Sequence, residues 1–185
     1  EEVERLIREL EESTDRVARE VERLIRESRK STEDVRRKVD KLLREVREAI
    51  KEVEERVRRT DDEREIEKLL KDLRKILEDV RREVKRLVEE NNKVSEDVLR
   101  EVERLLRENR RVVEEVLKRV AERVEDEEIK RKIDKVVEEV RRRTEELRER
   151  IERVNEENKE ASERLERKLR EMAKELDKKL KDIRR

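Results

Sequence analysis

Apolar residues recur along this chain with a period of 18. Residues 3–9 have the sequence VERLIRE, residues 21–27 repeat it, and residues 39–45 are VDKLLRE. Related segments follow at the same spacing further on, at 66–72, 84–90 and 102–108. Eighteen residues make five turns of an α-helix, so each repeat returns its apolar side chains to the same helix face. The pattern therefore predicts long amphipathic helices.

The apolar stripe changes phase twice, once after Val57 and once after Val124. A continuous helix would keep its stripe, so the chain is expected to turn at both places. Asp62 with Glu65 fits a capping box, and Asp126 fits the N-cap of the next helix. The prediction is three helices, at about 1–59, 62–124 and 127–185, in a single domain over 1–185. Because short connections make neighbouring helices antiparallel, the fold is an all-α, up-down-up three-helix bundle.

The exact period of the apolar repeat predicts whether the helices supercoil around one another. A repeat of 3.5 residues drives a left-handed supercoil and one of 3.67 a right-handed supercoil, whereas 18/5 = 3.6 requires neither. We therefore expect helices of about 60 residues with little or no supercoil. Adjacent apolar pairs, such as Leu6 with Ile7 and Leu69 with Leu70, make the stripe wide enough to face two partners, as a three-helix core requires.

Some positions of the stripe are polar. Steps of 18 from Leu10 and Leu73, for example, lead to Ser28 and Asn91. The residues predicted as a structural polar core are Thr14, Ser28, Ser31, Asn91, Ser95, Asn109, Thr144, Asn158 and Ser162. The burial of four others stays open, since three of them lie at the edge of the stripe; they are Ser13, Thr32, Asn92 and Asn155.

Folding the chain at its two turns brings these residues to common heights. Paired positions in the first and second helices should sum to about 122–123, and those in the second and third to about 252–253. Thr14 then faces Asn109, which faces Thr144. The polar interruptions thus fall at the same level on all three helices.

The same register groups the remaining polar residues. Ser28 faces Ser95, and Ser95 faces Asn158. Asn91 lies between Ser31 and Ser162, with Asn92 as an alternative partner of Ser31. Scattered surface positions would not align in this way.

Buried hydroxyls and amides are best grouped. One that lacks a partner costs about 1–3 kcal/mol, whereas a complete network is nearly neutral. Polar layers that match only in one register would disfavour slipped or swapped helices. Two other interpretations are a pocket lined by Ser and Asn, and partly exposed positions without a role.

The composition excludes much chemistry. The chain has no Gly, Pro, Cys, His or aromatic residue, so catalytic triads, histidine or thiolate metal sites and glycine-rich phosphate loops are absent. Its 57 basic and 57 acidic residues cancel and interleave, which leaves no basic face for nucleic acid. No apolar run is long enough for a membrane span. We expect no enzyme activity, no cofactor, no metal, no nucleic-acid or membrane partner, and no disulfide.

With its 18-residue period, restricted alphabet and layered polar positions, the whole chain resembles de novo designed, parametrically generated straight three-helix bundles with designed buried hydrogen-bond networks. Its glycine-free turns depart from that resemblance. The resemblance implies a stable, monomeric scaffold without biological activity, synthetic in origin and expressed as a soluble protein in a recombinant cytoplasm. The alternatives are a designed building block that self-associates or binds a partner helix, and a natural spectrin-like rod.

Overall fold

A computed structural model describes residues 2–183, and it is helical almost throughout. The helices are α1 (Glu2–Arg59), α2 (Glu63–Arg123) and α3 (Glu127–Ile183). The all-α three-helix bundle is confirmed, and α2 begins one residue later and ends one residue earlier than predicted. Residues 1, 184 and 185, which the prediction placed in the first and last helices, lie outside the described residues.

Aspartates cap the second and third helices. Asp62 Oδ1 accepts the backbone N–H of Arg64 at 3.0 Å, and Asp126 Oδ1 accepts that of Glu128 at 2.9 Å. The predicted capping box is wrong in its second half. The Glu65 carboxylate accepts the Thr60 hydroxyl at 3.1 Å instead of the Asp62 N–H, which donates to the Thr60 hydroxyl oxygen at 3.3 Å.

The turns need no glycine because none of the described residues has a positive φ angle. Glycine is favoured after a helix mainly where the chain enters the left-handed region. Here the Thr60 hydroxyl and the Asp62 carboxylate bond to groups at the start of α2. Polar side chains thus replace the glycine-based helix end that the sequence lacks.

Contacts divide the chain into two compact units, each with a segment of every helix. Unit 1 comprises the described residues up to Arg29 together with Val94–Glu157. Unit 2 comprises Lys30–Lys93 together with the described residues from Asn158 onward. Whether they behave as the predicted single domain stays a prediction. Across the described residues, no helix has an apolar stretch long enough to cross a membrane.

Unit 1 contains two apolar clusters that show the helix directions. In the first, Ile7 packs with Leu117 and Ile133. In the second, Ile25 packs with Val98 and Ile151. From the first cluster to the second, residue numbers rise on α1 and α3 and fall on α2. Within this unit α2 is therefore antiparallel to the other two helices, as the sequence predicts.

Unit 2 contains one apolar cluster, formed by the later half of α1, the early half of α2 and the end of α3. Its most deeply buried members include Val39, Val84 and Leu176. The repeat is visible in the burial pattern, since Leu70 and Val88, which lie one repeat apart on α2, are both buried. The stripe read from the sequence is thus the buried face of this helix.

Candidate functional site

The polar residues of the stripe lie in the interior. Of the nine predicted for the polar core, Ser31 is half-buried and the rest are buried, namely Thr14, Ser28, Asn91, Ser95, Asn109, Thr144, Asn158 and Ser162. The four residues left open, Ser13, Thr32, Asn92 and Asn155, are all half-buried.

In unit 1, Asn109 on α2 bonds to two neighbouring residues of α1. Its Nδ2 donates to Thr14 Oγ1 at 3.0 Å, and its Oδ1 accepts the Ser13 hydroxyl at 3.4 Å. Thr14 in turn donates to the backbone carbonyl of Leu10, one turn earlier, at 2.9 Å. The sum 14 + 109 = 123 is the register that the sequence predicts for these helices. We call Ser13, Thr14, Asn109 and Thr144 the Asn109 layer.

The expected bridge from Asn109 to Thr144 is not formed among the described residues. Both ends of the Asn109 amide are directed to α1, so α3 receives no hydrogen bond from it. Thr144 is nevertheless buried, and it lines a groove between α2 and α3.

The Asn109 layer separates the two apolar clusters of unit 1. On α1 and α2 its residues lie between buried apolar residues of one cluster and buried apolar residues of the other. On α3, Thr144 likewise lies between Val140 and Leu147, which belong to different clusters. The core of this unit is therefore interrupted by polar groups on all three helices at one level.

In unit 2, Asn91 bonds to the same pair of residue types on α1. Its Oδ1 accepts the Ser31 hydroxyl at 2.7 Å, and its Nδ2 donates to Thr32 Oγ1 at 3.0 Å. A longer contact joins the Thr32 hydroxyl to Asn91 Oδ1 at 3.4 Å. A Ser–Thr pair and its asparagine thus recur one repeat away from those of the Asn109 layer.

The partner of Ser162 on α3 differs from the expected one. Its hydroxyl donates to Asn92 Oδ1 at 2.9 Å, instead of bonding to Asn91, whose amide is occupied by α1. We call Ser31, Thr32, Asn91, Asn92 and Ser162 the Asn91 layer. Two successive asparagines on α2 allow this layer to bond to both neighbouring helices.

One further pair joins α2 to α3 in unit 1, where the Ser95 hydroxyl donates to Asn155 Oδ1 at 3.2 Å. The sequence expected Ser95 to face Ser28 and Asn158, and those two pairings stay predictions. Asn155 lies one turn before Asn158 on α3, so the hydroxyl of Ser95 has a partner that the sequence did not assign to it.

Every residue whose burial the sequence left open takes part in a hydrogen bond. The 18-residue repeat could have placed Ser13 and Asn155 at the core, because steps of 18 along the chain from these residues lead to the apolar residues Ala49 and Ala173. Asn92 had no such signal, because the corresponding positions on α2 are arginines. Asn92 accepts the hydrogen bond of Ser162 because the side-chain amide of the neighbouring Asn91 already bonds to α1.

In the part of the chain that the structure describes, no fully enclosed side-chain nitrogen or oxygen lacks a hydrogen-bond partner.

A solved structure has a similar fold. The chain is similar to a protein described as "Computationally designed three helix bundle". The likeness has a TM-score of 0.58 and 18% sequence identity, and it covers 98% of this chain and 84% of that one.

At this identity the comparison shows the fold and nothing finer. No protein-family model matches the chain, and no curated protein is similar to it in sequence. The similarity to the designed bundle agrees with the three-helix arrangement described above.

The exposed faces carry arginines that lie between two glutamates. Arg86 bonds to Glu83, three residues earlier, and to Glu90, four residues later. The hydrogen bond from Arg86 lowers the pKa of Glu83, and the same bond raises the pKa of the arginine. The same arrangement recurs at Arg23, Arg104 and Arg142. Such exposed pairs orient side chains and contribute little stability.

Glu114 is a carboxylate held by two arginines in unit 1. It accepts Arg141 Nε at 2.6 Å from α3 and Arg110 Nε at 3.2 Å from its own helix. The hydrogen bond from Arg141 is the main cause of its lowered pKa, and Arg110 adds to the effect. The carboxylate therefore stays ionised at neutral pH and joins α2 to α3.

Proposed function

We propose that the chain is a designed structural scaffold without enzymatic or other biological activity, in which buried polar layers specify the helix register. The observation that carries the proposal is the Asn109 layer between two apolar clusters. The designed origin of the structurally similar bundle supports it. No described group of acidic, histidine or cysteine residues could hold a metal ion.

The layers would disfavour a slip of one repeat. If α1 moved by one repeat against α2, Ser31 and Thr32 would lie beside Asn109. Asn91 would then face Ala49 and Ile50, which cannot bond to its amide. An unsatisfied buried amide costs about 1–3 kcal/mol, whereas an entirely apolar repeat would repack well. The positions of the layers therefore distinguish the registers.

We also propose that the helices pack with little or no supercoil. In unit 1 the ion pairs Glu4–Lys132 and Glu22–Arg150 join α1 to α3, and they lie one repeat apart on both helices. Under a 3.5-residue repeat, a position one repeat later would rotate by about 50° from the interface. Recurrence of the same contact supports a repeat of 3.6. A crystal structure with crossings of about 20° throughout would contradict this.

The test of the register role replaces Thr14, Asn109 and Thr144 together by Val, Leu and Val. Stability to guanidinium should be unchanged or higher, because the one hydroxyl of the layer that remains, that of Ser13, is half-buried and can bond to water. The variant should nevertheless show several oligomers or duplicated amide signals in NMR spectra. A single monomeric species with one set of signals would contradict the register role.

The matched control replaces three apolar residues at one level, Val21, Val102 and Ile151, by Ile, Ile and Val. This exchanges apolar volume without touching a polar layer, so the control should remain one species. A loss of uniqueness here too would show that the polar layer is not the cause.

A second candidate is a building block that self-associates. Ile76, Val94 and Val112 are exposed large apolar residues of α2, and the last two, which lie one repeat apart in unit 1, share a face of the helix. Sedimentation distinguishes the two candidates, since a monomer has a mass of 22.9 kDa. A dimer that Val94→Lys dissociates would favour this candidate over the isolated scaffold.

A further inference from the structure

A groove of about 450 Å³ lies between α2 and α3 in unit 1. Its charged lining consists of two glutamates and four arginines, Arg107, Arg110, Arg111 and Arg148. The lining therefore has an excess of positive charge. The repeat does not require this cluster, because positions 89 and 166, one repeat away from Arg107 and Arg148, are glutamates.

Thr144 gives the groove a buried polar group. The residue is only 8% exposed and lines the groove. Its hydroxyl makes no hydrogen bond to the residues that the structure describes, whereas Thr14 bonds to Leu10 and to Asn109. Since no fully enclosed polar atom of residues 2–183 lacks a partner, the Thr144 hydroxyl is not fully enclosed, and the residue lines the groove. A buried hydroxyl ordinarily has a partner, and a ligand in the groove would supply one.

Two of the arginines form no ion pair within the described residues. Among residues 2–183, neither Arg107 nor Arg111 forms an ion pair, while Arg110 and Arg148 bond to glutamates on their own helices. Arg107 and Arg111 are four positions apart on α2, a spacing at which like charges repel. An anion between them would remove that repulsion.

We propose that this groove binds a tetrahedral oxyanion of the phosphate or sulfate class. Arg107 and Arg111 donate to the anion from α2, Arg148 donates from α3, and the Thr144 hydroxyl donates from the floor of the groove. Guanidinium groups suit phosphate because they present paired N–H donors. This site goes beyond the scaffold role and does not depend on it.

The experiment titrates the protein with inorganic phosphate at constant pH, with sodium chloride added to keep the ionic strength constant. Amide and arginine Nε signals are followed by NMR. Saturable shifts centred on Arg107, Arg111 and Thr144 are expected. Replacing both Arg107 and Arg111 by Gln should weaken binding at least about tenfold, since charge-assisted hydrogen bonds are lost.

Thr144→Val should weaken phosphate binding severalfold although the arginines remain. This variant therefore distinguishes the contribution of the hydroxyl to binding from that of the positive charges. The matched control, Lys71→Gln with Lys75→Gln, removes two exposed positive charges at the same spacing on the same helix and should leave binding unchanged. Absence of saturable shifts, or equal weakening in this control, would overturn the proposal.

Discussion

Single residues of the Asn109 layer differ in what they lose when a neighbour is replaced. Thr14 keeps its hydrogen bond to the Leu10 carbonyl when Asn109 is absent, because that acceptor belongs to its own helix. Asn109 Nδ2 has no such alternative, since its described bond is to Thr14. The layer is therefore asymmetric. The Asn109 amide depends on Thr14 for its hydrogen bond more than the Thr14 hydroxyl depends on Asn109.

We predict that Thr14→Val destabilises the protein by about 1–3 kcal/mol, because it orphans a buried amide. Asn109→Leu should cost less, since the Thr14 hydroxyl keeps a partner. The double variant should be less destabilised than the sum of the two. Guanidinium unfolding of all three variants in a double-mutant cycle measures this.

Ser13→Ala is the control, because it removes only a long, half-buried hydrogen bond and should change stability little. Equal losses for Thr14→Val and Asn109→Leu, with additive effects in the double variant, would contradict the asymmetry.

A second prediction at this scale concerns Glu114. Its pKa is lowered from an ordinary value of 4.5, chiefly by the hydrogen bond from Arg141, so Arg141→Gln should raise it toward that value. The stabilisation from this carboxylate is complete above about pH 4.5 and is lost as the pH falls through the lowered folded-state pKa. NMR titration of the Glu114 side chain measures the shift. An unchanged pKa in the variant would show that Arg141 is not its cause.

At the scale of the helices, stability depends on a few end groups and on long apolar stripes. The stripes continue for whole helices, but α2 and α3 each begin at an aspartate whose carboxylate accepts an N–H from the first turn. Since the turns contain no glycine, the side chains of these two aspartates largely determine where α2 and α3 begin.

We predict that Asp62→Ala and Asp126→Ala each cost about 1 kcal/mol, as expected for a lost N-cap. Amide exchange should accelerate mainly in the first turn of the affected helix. Asp62→Asn, which keeps the acceptor oxygen, should restore most of the protection. If Ala and Asn have equal effects, the side chain of Asp62 does not act as a cap.

At the scale of the whole molecule, apolar burial outweighs the exposed ion pairs. Each buried Val, Leu or Ile contributes about 1.5–3 kcal/mol before chain entropy is subtracted. The ion pairs lie on exposed faces, where screening reduces their effect. We therefore predict a thermal midpoint above about 90 °C by circular dichroism, with little dependence on salt at neutral pH. A cooperative transition below about 60 °C would contradict that.

Much of the fold follows from local pattern. The stripe predicts the three helices, and its phase breaks predict where the chain turns. The capping box at Asp62 was half wrong, because Thr60 competes for both of its partners. Register arithmetic predicts the pairing of Thr14 with Asn109, since the turn positions set it. It paired Ser162 with Asn91, whereas the observed partner is Asn92, because the Asn91 amide bonds to α1 and the neighbouring asparagine is left for α3.

The sequence by itself determined the helices and the residues that interrupt the core, because an 18-residue repeat is a property of a single helix. It also determined the helix directions, because short connections make neighbouring helices antiparallel. Only the tertiary structure decided which hydrogen bonds the interrupting residues form. An amide has a limited number of donors and acceptors, so Asn109 bonds to Ser13 and Thr14 and leaves Thr144 facing the groove. That choice depends on side-chain directions across helices, which a periodic pattern does not contain.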